Sequence, residues 1–365
     1  MVRKFTMYWA RNFNIVLITL LCFVGCSRQP AEQGSVLPEG NKYATGFQIT
    51  ETDTGVVVEV FQPYQRLCVR EPMKRLGTMS TVQVGFLYAL DAIDCLAAVC
   101  NPELIYTPVK GDEIDLGDSM KPSAERVLQS GLDVLLAVNY GQYDNLEAAR
   151  IEKLGVFTMY INEWQEHSPL ARAEWIRVFG ALTGKLREAD SIFAEVEEKY
   201  LSLSEGICTH NPVSSLEGRS GEVSEGRSIM SGNNFRGTWY VPSGKNYLAY
   251  LFHDAGFEYP FYDNNRETSI PLTMEETLRY FHDADVWVGA GGNSLAELAE
   301  MDEKHTWFKA YKEGRVYNWR KQRLESGANN FWERGVVHPE EMLEDMIHIS
   351  QNAPDSLLHF ASHLK

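Results

Sequence analysis

Between Ser168 and Ser204 the apolar residues fall at Trp175, Phe179, Leu182, Leu186, Ala189, Phe193, Val196, Tyr200 and Leu203. The steps alternate between four and three without a slip, which is the spacing of one helix face. Ser168-Pro169 supplies an N-cap followed by a proline at the first helical position. The spacing predicts a single helix of about 35 residues, roughly 50 Å long at 1.5 Å per residue. A coiled coil would show the same seam. No second heptad segment occurs elsewhere in the chain, so the pattern favours one long helix packed along a globular body.

The flanks of this segment limit the fold further. Phe47–Thr50 and Val56–Phe61 surround Asp53-Thr54-Gly55, a hairpin signal. Strand-like and helix-like stretches then alternate. Lys74–Met79, Leu96–Cys100, Asp133–Val138 and Val156–Ile161 read as strands. Thr81–Ile93, Pro122–Gln129 and Leu146–Lys153 read as helices. After the long helix, residues 204–226 are rich in Gly, Ser and Glu and read as a loop. Ser228–Ser231, Gly237–Val241, Asp285–Val288 and Arg315–Trp319 follow as strands, with helices at Lys245–Ala255, Thr273–Asp283, Thr306–Glu313 and Pro339–Ser350. The fold class is therefore α/β: two Rossmann-like lobes with mainly parallel sheets, joined by a single long helix. The expected lobes are residues 46–167 and 205–352, the linking helix 168–204, and a tail 353–365.

Residues 1–25 carry Arg3, Lys4 and Arg11 and no acid, ahead of an apolar run from Ile15 to Gly25. That is the layout of a signal peptide, too short for a comfortable membrane span. The run ends in Phe23-Val24-Gly25-Cys26, which resembles the lipobox of bacterial lipoproteins, with Phe23 where Leu is usual. Cys26 is the expected lipidation site. Residues 26–45 then read as a flexible tether. Cleavage removes three basic residues and no acid, taking the net charge from −16 to −19. So acidic a body argues against nucleic acid as a partner. Cys68, Cys95, Cys100 and Cys208 match no zinc or redox spacing. They read mostly as buried small hydrophobes, with one disulfide pair open.

Lobe, long helix, lobe is a layout that resembles the solute-binding proteins of ABC importers for ferric siderophores, haem and cobalamin. Four stretches carry the resemblance across roughly residues 44–352. Ala171–Ile176 through Ala189–Phe193 resembles the family's linking helix. Glu125–Leu128 followed by Asp133–Leu136 resembles a helix and strand of its first lobe, with Leu132 where the family has Pro. Thr273–Leu278 followed by Ala284–Val288 is the counterpart in the second lobe. Glu333–Glu340 resembles the closing segment. The resemblance implies a permease dimer with its ATPase as partner, a metal-chelate small molecule as ligand, a monomeric protein, and a place in the periplasm or cell envelope. It also implies that Glu125 and Glu275 pair with permease arginines. Both glutamates open a predicted helix, where a carboxylate suits the helix dipole whatever else it does.

A ligand of such a fold belongs between the lobes, at strand ends. Aromatic and cationic residues collect there: Tyr140, Trp164, Arg236, Trp239, Tyr240, Trp319, Arg320, Asn330 and Trp332. Broad rings suit a large planar ligand, and the arginines suit carboxylate or chelate charge. Core packing for the rings and surface ion pairs for the arginines are the structural alternatives. Gly289-Ala290-Gly291-Gly292-Asn293 reads as a cleft loop where backbone must approach closely. The nine histidines include no HxH or HExxH pair, so no metal site and no cofactor of the protein's own are expected. No nucleophile elbow, phosphate loop or dinucleotide fingerprint appears. The expectation is a binding protein, not an enzyme. Siderophore, haem and cobalamin are not separated by these residues, and neither is inner from outer membrane.

Overall fold

The computed structural model describes residues 37–139, 146–210 and 226–365. The expected signal peptide and Cys26 lie outside the described residues.

The N-terminal lobe begins with an antiparallel meander, β1 (Phe47–Thr52), β2 (Gly55–Phe61) and β3 (Tyr64–Val69). The hairpin signal at 53–55 produced the β1–β2 turn, with Thr52 opposite Gly55. The third strand was not anticipated. Five parallel strands follow, wound with helices: β4 (Leu76–Thr78), α1 (Thr81–Ala89), β5 (Leu96–Val99), β6 (Ile114–Asp115), α2 (Ala124–Ser130), β7 (Val134–Ala137), α3 (Leu146–Lys153) and β8 (Thr158–Tyr160). Their order in the sheet is β6-β5-β4-β7-β8. β4 is central, so the winding reverses beside it, and its carboxyl end is where an open α/β sheet presents a crevice. Leu76, Val134, Leu135 and Leu136 are fully buried, as expected of parallel strands covered on both faces.

The segment with the unbroken seam is not one helix. It forms α4 (Pro169–Glu174), α5 (Ile176–Thr183) and α6 (Leu186–His210). Ser168 caps α4 through its hydroxyl, as expected. α5 ends at Gly184, whose φ of +74° is left-handed. Its amide and that of Lys185 both return to the Gly180 carbonyl, the Lys185 bond at 2.7 Å. This is a Schellman-type stop. The apolar steps run through it because α5 and α6 bury the same side of the chain. A Cβ at Gly180 would lie 2.6 Å from the Ala189 Cβ, so the two helices cross at close range. α6 spans 25 residues and reaches from Tyr43, which meets Phe193 edge to face, to Asp254, which accepts from the Tyr200 hydroxyl.

The C-terminal lobe contains β9 (Ile229–Ser231), β10 (Asn233–Phe235), β11 (Thr238–Val241), α7 (Tyr247–Asp254), β12 (Ile270–Leu272), α8 (Met274–Phe281), β13 (Val286–Val288), α9 (Leu295–Met301), α10 (Lys309–Lys312), β14 (Tyr317–Asn318), α11 (Arg334–Val337), α12 (Pro339–Ser350) and β15 (Ser362–His363). β9 and β13 pair in parallel, and a parallel bridge from Trp287 to Val316 extends that sheet toward β14. β10-β11-β12 form a separate antiparallel sheet.

Two expected boundaries move. The tether reading stops short of residue 45, because Ala44 is fully buried. The Glu174 carboxylate accepts from the amides of Lys42, Tyr43 and Ala44 at 2.7–2.8 Å. The expected tail 353–365 is instead part of the second lobe. β15 pairs with β14, and the buried Asp345 carboxylate holds the amides of His359, Phe360 and Ala361. Among the cysteines, Cys100 is buried, Cys95 half-buried and Cys68 exposed, and all three are free. Cys68 therefore departs from the buried reading. Among the described residues no helix is long and apolar enough to cross a membrane.

Candidate functional site

Residues 320–337, which follow β14, pack against the N-terminal lobe near the carboxyl end of β5. This segment folds back on itself. Leu324 donates to the Ala328 carbonyl at 2.8 Å, and Arg323 bridges to Asn329. Its tip abuts the N-terminal lobe, since a Cβ at Gly327 would lie 3.6 Å from Leu104 Cδ2. Leu104 follows the carboxyl end of β5 by a few residues. Behind the tip, Glu333 is fully buried, and its two carboxylate oxygens accept from the amides of Tyr106 and Thr107 at 2.7 and 2.8 Å. Burial pushes the Glu333 carboxyl up, and the hydrogen bonds from Thr107 and Tyr106 oppose that rise. Gly85 in α1 is required here, because a Cβ would lie 2.8 Å from the Glu333 carbonyl oxygen.

On the C-terminal lobe the ends of β9, β13 and β14 converge. Gly289 has a φ of +71°, and a Cβ on it would sit 3.1 Å from Trp319 Nε1. The 289–293 turn is thus a place of close backbone approach, as the glycines suggest. Asn233 Nδ2 donates to the Gly289 carbonyl at 2.8 Å, and Asn318 Nδ2 to that of Gly292 at 2.9 Å. Trp319 stacks on Phe331 with centroids 4.7 Å apart and 12° between planes. Trp332 meets the other side of Phe331 edge-on and is 45% exposed. Arg320 Nη1 donates to Asn293 Oδ1 at 2.8 Å. Burial and then the neighbouring Arg323 charge hold the Arg320 pKa below the usual arginine range, where the guanidinium still stays charged.

Of the residues expected to meet ligand, Trp319, Arg320, Asn330 and Trp332 come together at this surface. Asn330 is buried and acts on the loop itself: its Nδ2 donates to Gln322 Oε1 at 2.6 Å. Trp319 is mostly buried, with its ring stacked on Phe331. Arg236 and Tyr240 lie on the β10–β11 hairpin, which begins at Asn233. Arg236 and Gly237 both have positive φ, the two-residue turn that suits strand twist. The Arg236 guanidinium lies over the exposed Phe235 ring, 5.2 Å from its centroid. Trp164, 41% exposed, lies in the turn after β8 on the other lobe.

Trp239 is a correction. It is 1% exposed and sits among Trp287, His305 and Phe308, with its Nε1 donating to the Ser231 carbonyl. Trp239 and Tyr240 are neighbours in β11, and successive strand residues face opposite ways. One of the pair had to point inward, and the larger apolar ring does. Tyr140 lies outside the described residues.

Sequence reasoning missed Arg323, Phe235, Leu104 and Asn139. Asn139 follows β7 at the crevice of the parallel sheet, and its Oδ1 is buried without a hydrogen-bond partner among the described residues. The signal for Asn139 was its place directly after a buried strand. Arg323 had no such cue, because the fold-back at 324–328 is not written in turn residues beyond Gly327. Among the described residues Arg236, Arg320 and Arg323 have no carboxylate within salt-bridge distance, whereas Arg315 and Arg334 do.

Glu125 and Glu275 occupy matching places, in the first turns of α2 and α8. Both are exposed. Ser123 and Thr273 cap the two helices through their hydroxyls.

A family model described as periplasmic binding protein matches residues 78–323, more than half of the chain. The chain belongs to that family. Its members are solute-binding proteins, which agrees with the expectation of a binding protein. An uncharacterized lipoprotein of Methanocaldococcus jannaschii is 27% identical over 241 residues, 65% of this chain. The chain spans about half of that relative's length, 52%. Similar solved structures include a possible iron-binding, periplasmic solute-binding protein from Staphylococcus epidermidis. Its TM-score is 0.58 at 14% identity, covering 76% of this chain and 99% of that one. The triscatecholate siderophore binding protein FeuA from Bacillus subtilis, complexed with ferri-bacillibactin, gives 0.57 at 15%, covering 81% and 98%. A periplasmic heme binding protein from Pseudomonas aeruginosa gives 0.57 at 15%, covering 80% and 99%. At these identities the likeness is one of fold: two α/β lobes, as in the described chain.

Proposed function

We infer that this periplasmic binding protein is the solute-binding component of an ABC importer, that it holds a ferric siderophore or related iron chelate between its lobes, and that it delivers the chelate to the permease. The observation that carries the reading is the gathering of three arginines with no carboxylate in salt-bridge distance at one surface, Arg320 and Arg323 just after β14 and Arg236 on the adjoining hairpin. In a chain of net charge −16, guanidinium groups with no direct carboxylate contact suit an anionic ligand, and they match carboxylate or catecholate oxygens in pairs. Tyr240 and Trp332, both exposed, add ring area beside them. The structurally similar siderophore binding protein and heme binding protein support the same ligand class. Haem or cobalamin is the second reading. Exposed Met301 favours it, because its Cε lies 3.4 Å from where a Gly291 Cβ would sit, placing a soft donor at these strand ends.

The remaining parts fit that role. Cys26 is the lipid anchor, and residues 27 to about 40 are its tether, so the protein is exported and held at a membrane. Glu125 and Glu275 are the permease contacts, one per lobe. Exposed charge pairs of this kind set specificity and association rate more than affinity. The test is to titrate the chain beginning at Ser27 with ferric siderophores, haemin and cobalamin, following tryptophan fluorescence. One-to-one binding of an iron chelate at micromolar affinity or better is expected. Silence across the panel would sink the reading. In cells, Glu125→Lys with Glu275→Lys should abolish uptake while leaving that affinity within about twofold. Lost ligand binding in the double variant would refute the docking roles.

A further inference from the structure

At the lobe junction lies a cavity of about 420 Å³, walled by Tyr88 and Tyr106 from one lobe and Asn330, Arg334 and His338 from the other. Where α11 meets α12, His338, Glu340 and Glu341 each offer one ligand atom, and these atoms lie within 4.8 Å of one another. The sequence explains part of this. Pro339 opens α12, so both glutamates fall in its first turn, where carboxylates favour the helix dipole. His338 precedes the helix and hydrogen-bonds from Nδ1 to Glu340 Oε1 at 3.0 Å.

Helix capping does not explain why Glu340 is buried. It is 4% exposed, and its Oε2 has no hydrogen-bond partner among the described residues. A buried carboxylate oxygen without a donor is costly, and a cation would satisfy it. Arg334 grips Glu341 with both ends of its guanidinium, Nε to Oε2 at 2.8 Å and Nη2 to Oε1 at 2.5 Å. Two carboxylates against one guanidinium leave an excess of negative charge, and Arg334 competes with any cation for Glu341.

We propose that His338, Glu340 and Glu341 form a binding site for a divalent cation of the Zn²⁺ class, reached past His338, the one of the three that lines the interlobe cavity, and restrained by Arg334. One imidazole and two carboxylates are a donor set that zinc accepts, and a water from the cavity side completes four-coordination. Ligand atoms around a tetrahedral ion with bonds of about 2.0 Å sit roughly 3.3 Å apart. The three side chains therefore close in slightly, and Glu341 leaves Arg334 as they do. The three ligand residues are not among those at the strand-end surface, although Asn330 borders both places.

Calorimetric titration of the chain beginning at Ser27 with Zn²⁺, after stripping with chelator and dialysis, tests this. One equivalent should bind at micromolar affinity or better. His338→Ala and Glu340→Gln should each weaken that equivalent roughly tenfold or more. Arg334→Gln should tighten it by at least about threefold, because it frees Glu341 and leaves a second negative charge. Misfolding cannot tighten binding, so that variant decides the matter even if the others lose structure. Superimposable isotherms for the wild type, His338→Ala and Arg334→Gln would overturn the proposal and assign any zinc uptake to surface histidines such as His253 and His282.

Discussion

The two lobes share a parallel-sheet plan but present different strand ends to one another. On the N-terminal lobe the described ends are tied into the fold. Gln83 Oε1 accepts from the amides of Met79 and Ser80, Asn162 Oδ1 accepts from the Asn139 amide, and Asn162 Nδ2 donates to the Gln62 carbonyl. On the C-terminal lobe the ends carry Arg320, Arg323, Trp332 and the exposed hairpin of Phe235 and Tyr240. Under the proposed function the first lobe serves as a wall and the second as the recognition surface. Facing outward the lobes are alike, each with a glutamate in the first turn of a capped helix.

That contrast can be broken by substitution. Trp239→Ala should lower stability by about 3–5 kcal/mol in chemical denaturation, since it empties a buried aromatic cluster, while folded protein keeps its chelate affinity. A specific loss of affinity at unchanged stability would return Trp239 to the ligand surface. Arg320→Ala with Arg323→Ala should weaken binding of an anionic chelate by at least roughly 100-fold by titration, at about 1.5–3 kcal/mol for each charge-assisted contact. Trp164→Ala, on the opposite lobe, should cost less than about tenfold. Equal losses from the two lobes would dissolve the distinction between wall and recognition surface. Gly184→Ala should cost about 1–2 kcal/mol by thermal unfolding, because φ is +74° and a Cβ would lie 2.6 Å from Pro72 Cγ. No cost there would mean that α5 and α6 can straighten.

The smallest expected effect is acid sensitivity of the C-terminal lobe at Asp285. Burial pushes its carboxyl up, but hydrogen bonds from Lys309 Nζ and from the Ser228 amide and hydroxyl outweigh burial and bring its pKa to about 2. A depressed carboxylate contributes stability that is present above the ordinary value of 3.8 and is lost as pH falls toward about 2. Asp285→Asn should flatten stability against pH in that window and leave it unchanged in shape above pH 5. An unchanged slope below pH 4 would count against the pairing.

Much of the fold was legible because burial writes a period into the chain. α3 and α12 match the expected ranges Leu146–Lys153 and Pro339–Ser350, where apolar spacing and flanking residues agree. The linking segment failed for an instructive reason. A seam of threes and fours records which side is buried, and two helices crossing at Gly180 bury one continuous side as well as a single rod would. Gly184 followed by a basic residue was the stop signal. The tail failed because Phe360 and Leu364 are too short a run to show a period, yet both are buried. At the site, glycines at 289–292 showed the close approach and Arg320 its cation. Strand alternation would have excluded either Trp239 or Tyr240. Arg323 could not be placed, since its role depends on a loop fold-back.

The most direct test of a ligand held between these strand ends is hydrogen exchange with and without the tightest-binding chelate of the titration panel. Protection should appear at residues 289–293 and 318–323, extend to 232–240, and reach 101–107 on the facing lobe more weakly. Protection confined to 350–365, or none at saturating ligand, would contradict the account.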